Sequence, residues 1–146
     1  MASRRESRKL ALQTLYSLEL NRQEPGEGLS LVLDQFESEE SCRPFARDIV
    51  TGVYRERPRI DALIESASRN WKIGRMPPVD RNILRIALFE MLYCGDIPVK
   101  VSINEAVELG KLFGDKDSGA FINGILDRVK DQISNQTSGK PTGPDE

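Results

Sequence analysis

The sequence predicts an all-α domain, and three observations carry that expectation. No stretch alternates apolar and polar residues with period two over a useful length, so strands leave no signal. Apolar residues recur instead at helical spacing in successive segments, each punctuated by proline, glycine or a capping residue. The segment Val79–Tyr93, VDRNILRIALFEMLY, is apolar around nearly its whole circumference, through Val79, Ile83, Leu84, Ile86, Ala87, Leu88, Met91 and Leu92. Such a helix must be enclosed by others, because a face left in water forfeits its burial energy. About seven helices are expected, with no internal repeat.

Ser3 is placed to cap a first helix running to about Leu20, and Glu6 three residues later completes a capping box. Ala11, Leu12, Leu15 and Leu18 form its apolar face. Its opening turns carry Arg4, Arg5, Arg8 and Lys9 against Glu6 alone. Cations at a helix N-terminus oppose the macrodipole, so stability does not explain them. They read either as a solvated charged end or as a phosphate-binding patch, which Tyr16 would join on the same edge. After a turn at 23–28, Leu29 to about Glu40 is amphipathic through Leu29, Val32, Leu33 and Phe36. Pro44 opens a third helix to about Glu56, and Pro58 a fourth to about Ala67. Trp71 follows in a connection ended by Gly74 and Pro77-Pro78, where it is expected as a core plug.

The central helix ends before Gly95 and Pro98. Arg81 and Arg85 share one side of it, while Asp80 and Glu90 interrupt the apolar arc; Glu90 fits a buried, hydrogen-bonded carboxylate joining two halves of the fold. Ser102 and Glu105 have the spacing of a second capping box, opening a sixth helix that Gly114 stops. The loop 115–118 starts a last helix with a core stripe of Ile122, Ile125, Leu126, Val129 and Ile133. Phe121 falls off that stripe, as a rim packing residue or as a platform for an unpaired base. Gly119 and Gly124 suggest close approach to a neighbouring backbone. A folded domain of residues 1–133 is expected, followed by a disordered tail over 134–146.

With 146 residues, 30% of them charged and 38% hydrophobic, the chain suits one globular domain rather than a disordered or membrane protein. No apolar run approaches the ~20 residues that span a bilayer, and no signal peptide is visible, so a cytoplasmic location is expected. There is no histidine, and Cys42 and Cys94 are isolated. That excludes Cys/His zinc sites and histidine-based nucleophilic chemistry, and a disulfide is not expected. Neither GxGxxG nor GxxxxGK[ST] occurs, and nothing pairs a nucleophile with a base. The chain is therefore expected to be no enzyme, with no cofactor and no metal. Lys and Arg total 21 against 23 Asp and Glu, a net charge of −2. A nucleic-acid role then needs a local patch completed by a basic partner. The acid-rich run from Glu19 to Asp48 is a poor surface for it. The residues alone leave two readings open, an RNA-binding adaptor and a protein-interaction bundle that binds no RNA.

Three stretches resemble the bacterial NusB family of transcription antitermination factors: RRESRKLALQTLYSLEL (Arg4–Leu20), VDRNILRIALFEMLY (Val79–Tyr93) and IPVKVSINEAVELGKLFGDKDSGAFINGILD (Ile97–Asp127). The last is the most specific, in its order KVSINEAVELGK, then FG, then FINGILD. The resemblance implies two perpendicular three-helix bundles sharing a central helix. It implies binding of boxA, a single-stranded element of ribosomal-RNA leader transcripts, as a heterodimer with NusE, a basic small-subunit ribosomal protein. The complex would load on RNA polymerase and suppress premature termination. Position by position, the family's arginine-rich first helix falls on Arg4, Arg5 and Arg8. Glu6 stands where other members often carry a basic residue, which Lys9 compensates. The RNA-contacting loop and helix start fall on Asp117, Ser118 and Phe121. The NusE face falls on Tyr16, Leu20 and Asp80, and the helical wheel adds Arg81 and Arg85. Some members form homodimers that hide the RNA surface, an option left open here. A similar domain also heads certain ribosomal-RNA cytosine methyltransferases, a reading that would make this chain a fragment.

Overall fold

In a computed structural model, residues 4–23, 25–26, 29–34, 40–69 and 71–138 are described. Among them are six long helices and one short one, without strands. These are α1 (Arg4–Leu20), the short α2 (Leu29–Asp34), α3 (Arg43–Arg55), α4 (Arg57–Ser68), α5 (Pro78–Tyr93), α6 (Val99–Phe113) and α7 (Ser118–Ser138). Single 3-10 turns precede α3 and α5. The expected cap Ser3, and Phe36 of the second apolar stripe, lie outside the described residues.

The prolines act where the sequence placed them, in the first turns of α3, α4 and α5, where a missing N–H costs nothing. Glu56 alone separates α3 from α4; its N–H is donated to the Gly52 carbonyl. The last helix continues past Ile133 to Ser138, into what was expected to be tail; the remainder, 139–146, lies outside the described residues.

Helix α5 is the post of the fold. Every residue from Asn82 to Glu90 is buried, and α5 packs against α1, α3, α4, α6 and α7. To one side α1 packs on α2 and α3; to the other α7 packs on α4 and α6. The core runs continuously through both groups, from Leu10, Leu15 and Ile49 across Ile83, Leu84 and Leu88 to Ile122 and Leu126.

Glycines mark three tight approaches. Gly52 lies against the Phe89 ring, so α3 meets α5 with no room for a methyl group. Gly110 of α6 faces Ile122 and the backbone of Gly119. Gly114 has extended rather than left-handed backbone, and is required because a Cβ there would run into Ser118. The backbone at Gly119 thus comes close to α6 as expected, although a Cβ on Gly119 itself would meet the Lys111 side chain; around Gly124 there is open space, and no close approach occurs there. Gly52→Ala is expected to destabilise the domain by about 1–2 kcal/mol, overpacking outweighing the better helix propensity of alanine. A urea melt with an unchanged or raised midpoint would refute this.

Candidate nucleic-acid interface

The arginines that open α1 have three different environments. Arg4 is half-exposed, donating to Asp96 Oδ2 at 2.9 Å while its guanidinium lies 4.7 Å over the Phe45 ring centre. Arg5, also half-exposed, forks onto Glu105, with Nε–Oε1 at 3.0 Å and Nη2–Oε2 at 2.6 Å. Arg8 is buried and forks onto the buried Glu90 at 2.7 and 2.8 Å. Lys9 pairs with Glu6 at 3.1 Å. Arg8 therefore leaves the expected RNA patch: it lies on the same arc as Ala11, Leu12 and Leu15, and its charge is already satisfied inside the protein.

Glu90, unplaced by the family comparison of residues, is the carboxylate that ties α1, α5 and α6 together. It also accepts from Ser102 Oγ at 2.9 Å. The expected capping box at Ser102 is not formed. Helix α6 already begins at Val99 behind Pro98, so Ser102 is an interior residue whose hydroxyl turns to Glu90. Glu105, its supposed capping partner, faces α1 instead. The hydrogen bond from Arg5 holds the Glu105 carboxyl below its ordinary range against the effect of burial, helped by the charges of Arg5 and Arg8.

At the opposite end of α5, Asp80 is buried and accepts a hydrogen bond from Ser118 Oγ at 2.8 Å, while the Asp115 N–H donates to Ser118 Oγ at 2.9 Å. Burial pushes the Asp80 carboxyl up, Asp115 adding to the shift and Ser118 opposing it. Asp80 and Ser118 thus brace the loop before α7, and neither is an exposed contact. Arg85 is likewise buried, forking onto Asp61 at 2.9 and 3.0 Å and reaching Glu19 at 3.2 Å. Arg81 pairs with Glu19 and donates to the Met76 carbonyl at 2.6 Å. Burial would raise the Glu19 carboxyl, but the Arg81 hydrogen bond and the charges of Arg81 and Arg85 hold it below its ordinary range. Of the five residues expected on a partner face, only Tyr16 and Leu20 are on the surface, at 40% and 70% exposure. The three on α5 are turned to other duties, because a post enclosed on all sides has no free polar face.

Asp117 is exposed and Phe121 half-buried. Phe121 does not stand alone: Trp71 presents its ring at 6.1 Å and 74°, edge to face. Trp71 is 48% exposed and is not the expected core plug. Ser68 Oγ donates to the Trp71 carbonyl at 2.6 Å and accepts from its N–H at 3.0 Å, and Glu65 accepts from the Ile73 N–H at 2.7 Å. These bonds pin the backbone while the indole faces outward. With Pro77, Asp80, Asp115 and Asp117, the two rings line a pocket of about 270 Å³. Nothing in the local sequence spacing marks Trp71 for this place; only the packing of α4 against α7 brings it to Phe121.

The structure thus separates what the sequence grouped. The α1 patch sits at the C-terminal end of α5 and the Trp71–Phe121 pocket at its N-terminal end, about 15 Å apart along the helix from Asp80 to Glu90. One end offers guanidinium and ammonium groups suited to phosphates. The other offers aromatic faces beside carboxylates that accept hydrogen bonds from base amino groups. Among the described residues no group of His, Cys, Asp or Glu could hold a metal ion, and no helix is long and apolar enough to cross a membrane. The fold and site define a helical binding module.

The NusB family model matches residues 5–131. The transcription antitermination protein NusB of Desulforapulum autotrophicum is 53% identical over 132 residues, 89% of this chain and 92% of that one. Its namesake in Myxococcus xanthus is 50% identical over 133 residues, 88% and 95%. A solved NusB of T. maritima superposes with a TM-score of 0.78 at 35% identity, over 88% of this chain and 90% of that one. A chain from a crystal structure of antitermination factors NusB and NusE with double-stranded RNA superposes with a TM-score of 0.74 at 26% identity, over 86% and 94%. The chain belongs to the NusB family, and these relatives are transcription antitermination proteins rather than enzymes.

Arg8→Ala strands Glu90 in the core and is expected to cost about 3–5 kcal/mol in chemical denaturation; a loss below about 1 kcal/mol would refute the buried pair as a strut. Glu19 and Glu105 have lowered folded-state values, so their contribution is complete above the ordinary carboxylate range and is lost as pH falls from there through the lowered folded-state values. Stability should drop from about pH 5 downward, and Glu105→Gln should flatten that drop in melts across the acid range. An unaltered profile in the variant would remove Glu105 from the account.

Proposed function

We propose that this chain acts in the cytoplasm as a transcription antitermination factor. It binds boxA RNA of ribosomal-RNA leaders as a heterodimer with NusE and joins the antitermination complex on RNA polymerase. The observation that carries the RNA reading is the Trp71–Phe121 pocket: an indole left 48% exposed, edge-on to a second ring and beside exposed Asp117, is a ready platform for an unpaired base. Phosphates are taken by the half-exposed Arg4, Arg5 and Lys9. Tyr16 and Leu20 form the surface offered to NusE, whose positive charge offsets the net −2 of this chain. The related NusB–NusE complex was solved with double-stranded RNA. The open aromatic pocket favours a single strand here, since a paired base has no free face to stack.

A boxA RNA, offered single-stranded and as a duplex, is expected to bind the NusE heterodimer more tightly than this chain alone, with the single strand preferred. Phe121→Ala should cost about 1–3 kcal/mol of binding. Arg4→Ala with Arg5→Ala should lower the salt slope by about 1.4, two single-strand phosphate contacts. If Phe121→Ala lowers the melting temperature but leaves RNA affinity intact, the ring only packs. If no RNA shifts with NusE present, the bundle is a protein-interaction module instead.

A further inference from the structure

Arg4 belongs both to the α1 patch and to a second groove that no step above uses. This groove, about 610 Å³, runs between α3 and the turn that follows α5. Arg4, Phe45, Arg47, Thr51, Arg55 and Tyr93 give it its chemistry. Arg47, Thr51 and Arg55 stand four residues apart and all three are exposed. They form a polar stripe along α3 with a step of about 6 Å, comparable with the distance between successive phosphates of an extended strand. Beside the stripe, the Phe45 ring carries the Arg4 guanidinium, and the Phe89 and Tyr93 rings meet at 5.8 Å, tilted by 35°. Tyr93 is held in place through its hydroxyl, which donates to Glu56 Oε1 at 3.0 Å and accepts from Arg59 Nη1 at 3.1 Å. Two carboxylates line the groove, Asp48 and Asp96, and Asp96 is already engaged by Arg4. The lining thus carries three guanidiniums against two carboxylates, the reverse of the acidic balance around Trp71. Arg55 also pairs with Glu56 at its rim at 3.0 Å, a contact that a phosphate would have to replace.

By sequence, Arg47 falls in the acid-rich run and promises little to a nucleic acid. In the fold it is set beside Arg4 and Arg55 at the edge of the basic patch.

We propose that this groove takes the stretch of RNA strand that continues beyond the boxA nucleotides held at the α1 patch. Arg47, Thr51 and Arg55 hold successive phosphates, and one base lies against the Phe45 and Tyr93 rings. The proposal rests on the RNA reading above and deepens it: the footprint on this chain extends beyond the α1 patch and includes leader nucleotides flanking boxA.

Fluorescence anisotropy on the NusE heterodimer tests it, comparing a boxA RNA with the same RNA extended by several nucleotides at each end in turn. Wild-type binding of the unextended RNA checks the underlying reading separately. One of the two extensions is expected to raise affinity about tenfold at low salt. Arg47→Ala with Arg55→Ala should abolish that gain while the unextended RNA binds as to wild type. Arg47→Lys with Arg55→Lys should retain most of it, since lysine serves a phosphate as a point charge. Circular dichroism of the double variants confirms the fold. A gain absent at both ends in the wild type, or one that survives the double-alanine change, overturns the proposal. So does a double-alanine variant that loses NusE affinity alone, which would give the groove to a protein contact.

Discussion

The complete enclosure of α5 constrains everything around it. A helix buried from Asn82 to Glu90 cannot leave a polar side chain unsatisfied, because an unpaired charge in the interior costs far more than any single apolar contact returns. Its polar residues are therefore each met by a partner from a different helix. Asp80 takes a hydrogen bond from Ser118 of α7, Arg85 grips Asp61 of α4 and Glu19 of α1, and Glu90 takes Arg8 of α1 and Ser102 of α6. Apolar packing alone would tolerate helices sliding by a turn. These pairs do not, so they set the register of four helices about the fifth.

That constraint also decides which residues remain for binding. Arg8 is consumed by Glu90, and Arg81 and Arg85 by Glu19 and Asp61, leaving Arg4, Arg5 and Lys9 at the surface of α1. Arg5 is held by Glu105, which looks like competition with a phosphate. Yet Glu105 Oε1 also lies 3.4 Å from Arg8 Nη1. When Arg5 turns outward, Glu105 keeps a cation beside it, and the release leaves no unpaired carboxylate. The buried pair thus supports the fold and lowers the cost of freeing the exposed arginine.

The outline of this fold was legible because its signals are local. Proline in first turns, apolar stripes at helical spacing and the all-round apolarity of Val79–Tyr93 each say something without reference to distant residues. Glu90 was legible only in part: its place inside an apolar arc fits a buried carboxylate, but nothing in the sequence names Arg8 and Ser102 as its partners. What spacing could not show was which distant partner claims a polar side chain. Arg4, Arg5 and Arg8 look alike in sequence, and only the position of Glu90, 82 residues away, separates Arg8 from the others. Ser102 and Glu105 match a capping box at the right spacing, but Pro98 starts the helix earlier and frees Ser102 for Glu90 of α5 and Glu105 for Arg5 of α1. Trp71 was assigned to the core because a lone tryptophan usually is buried; its backbone bonds to Ser68 decide otherwise.

On the proposed reading, the separation of the two ends of α5 gives binding its selectivity. Cations sit at one end, while aromatic faces bordered by Asp80, Asp115 and Asp117 sit at the other. A polyanion with no free bases gains only at the cationic end and meets carboxylates at the pocket. A single strand that places its phosphates on α1 and swings a base into the pocket gains at both, provided that the base brings hydrogen-bond donors to the carboxylates. Sequence-independent attraction is thereby kept weak in a chain of net charge −2. Affinity must then come from the joint fit of strand and basic partner, which couples RNA capture to NusE and suppresses binding of bulk RNA by this chain alone.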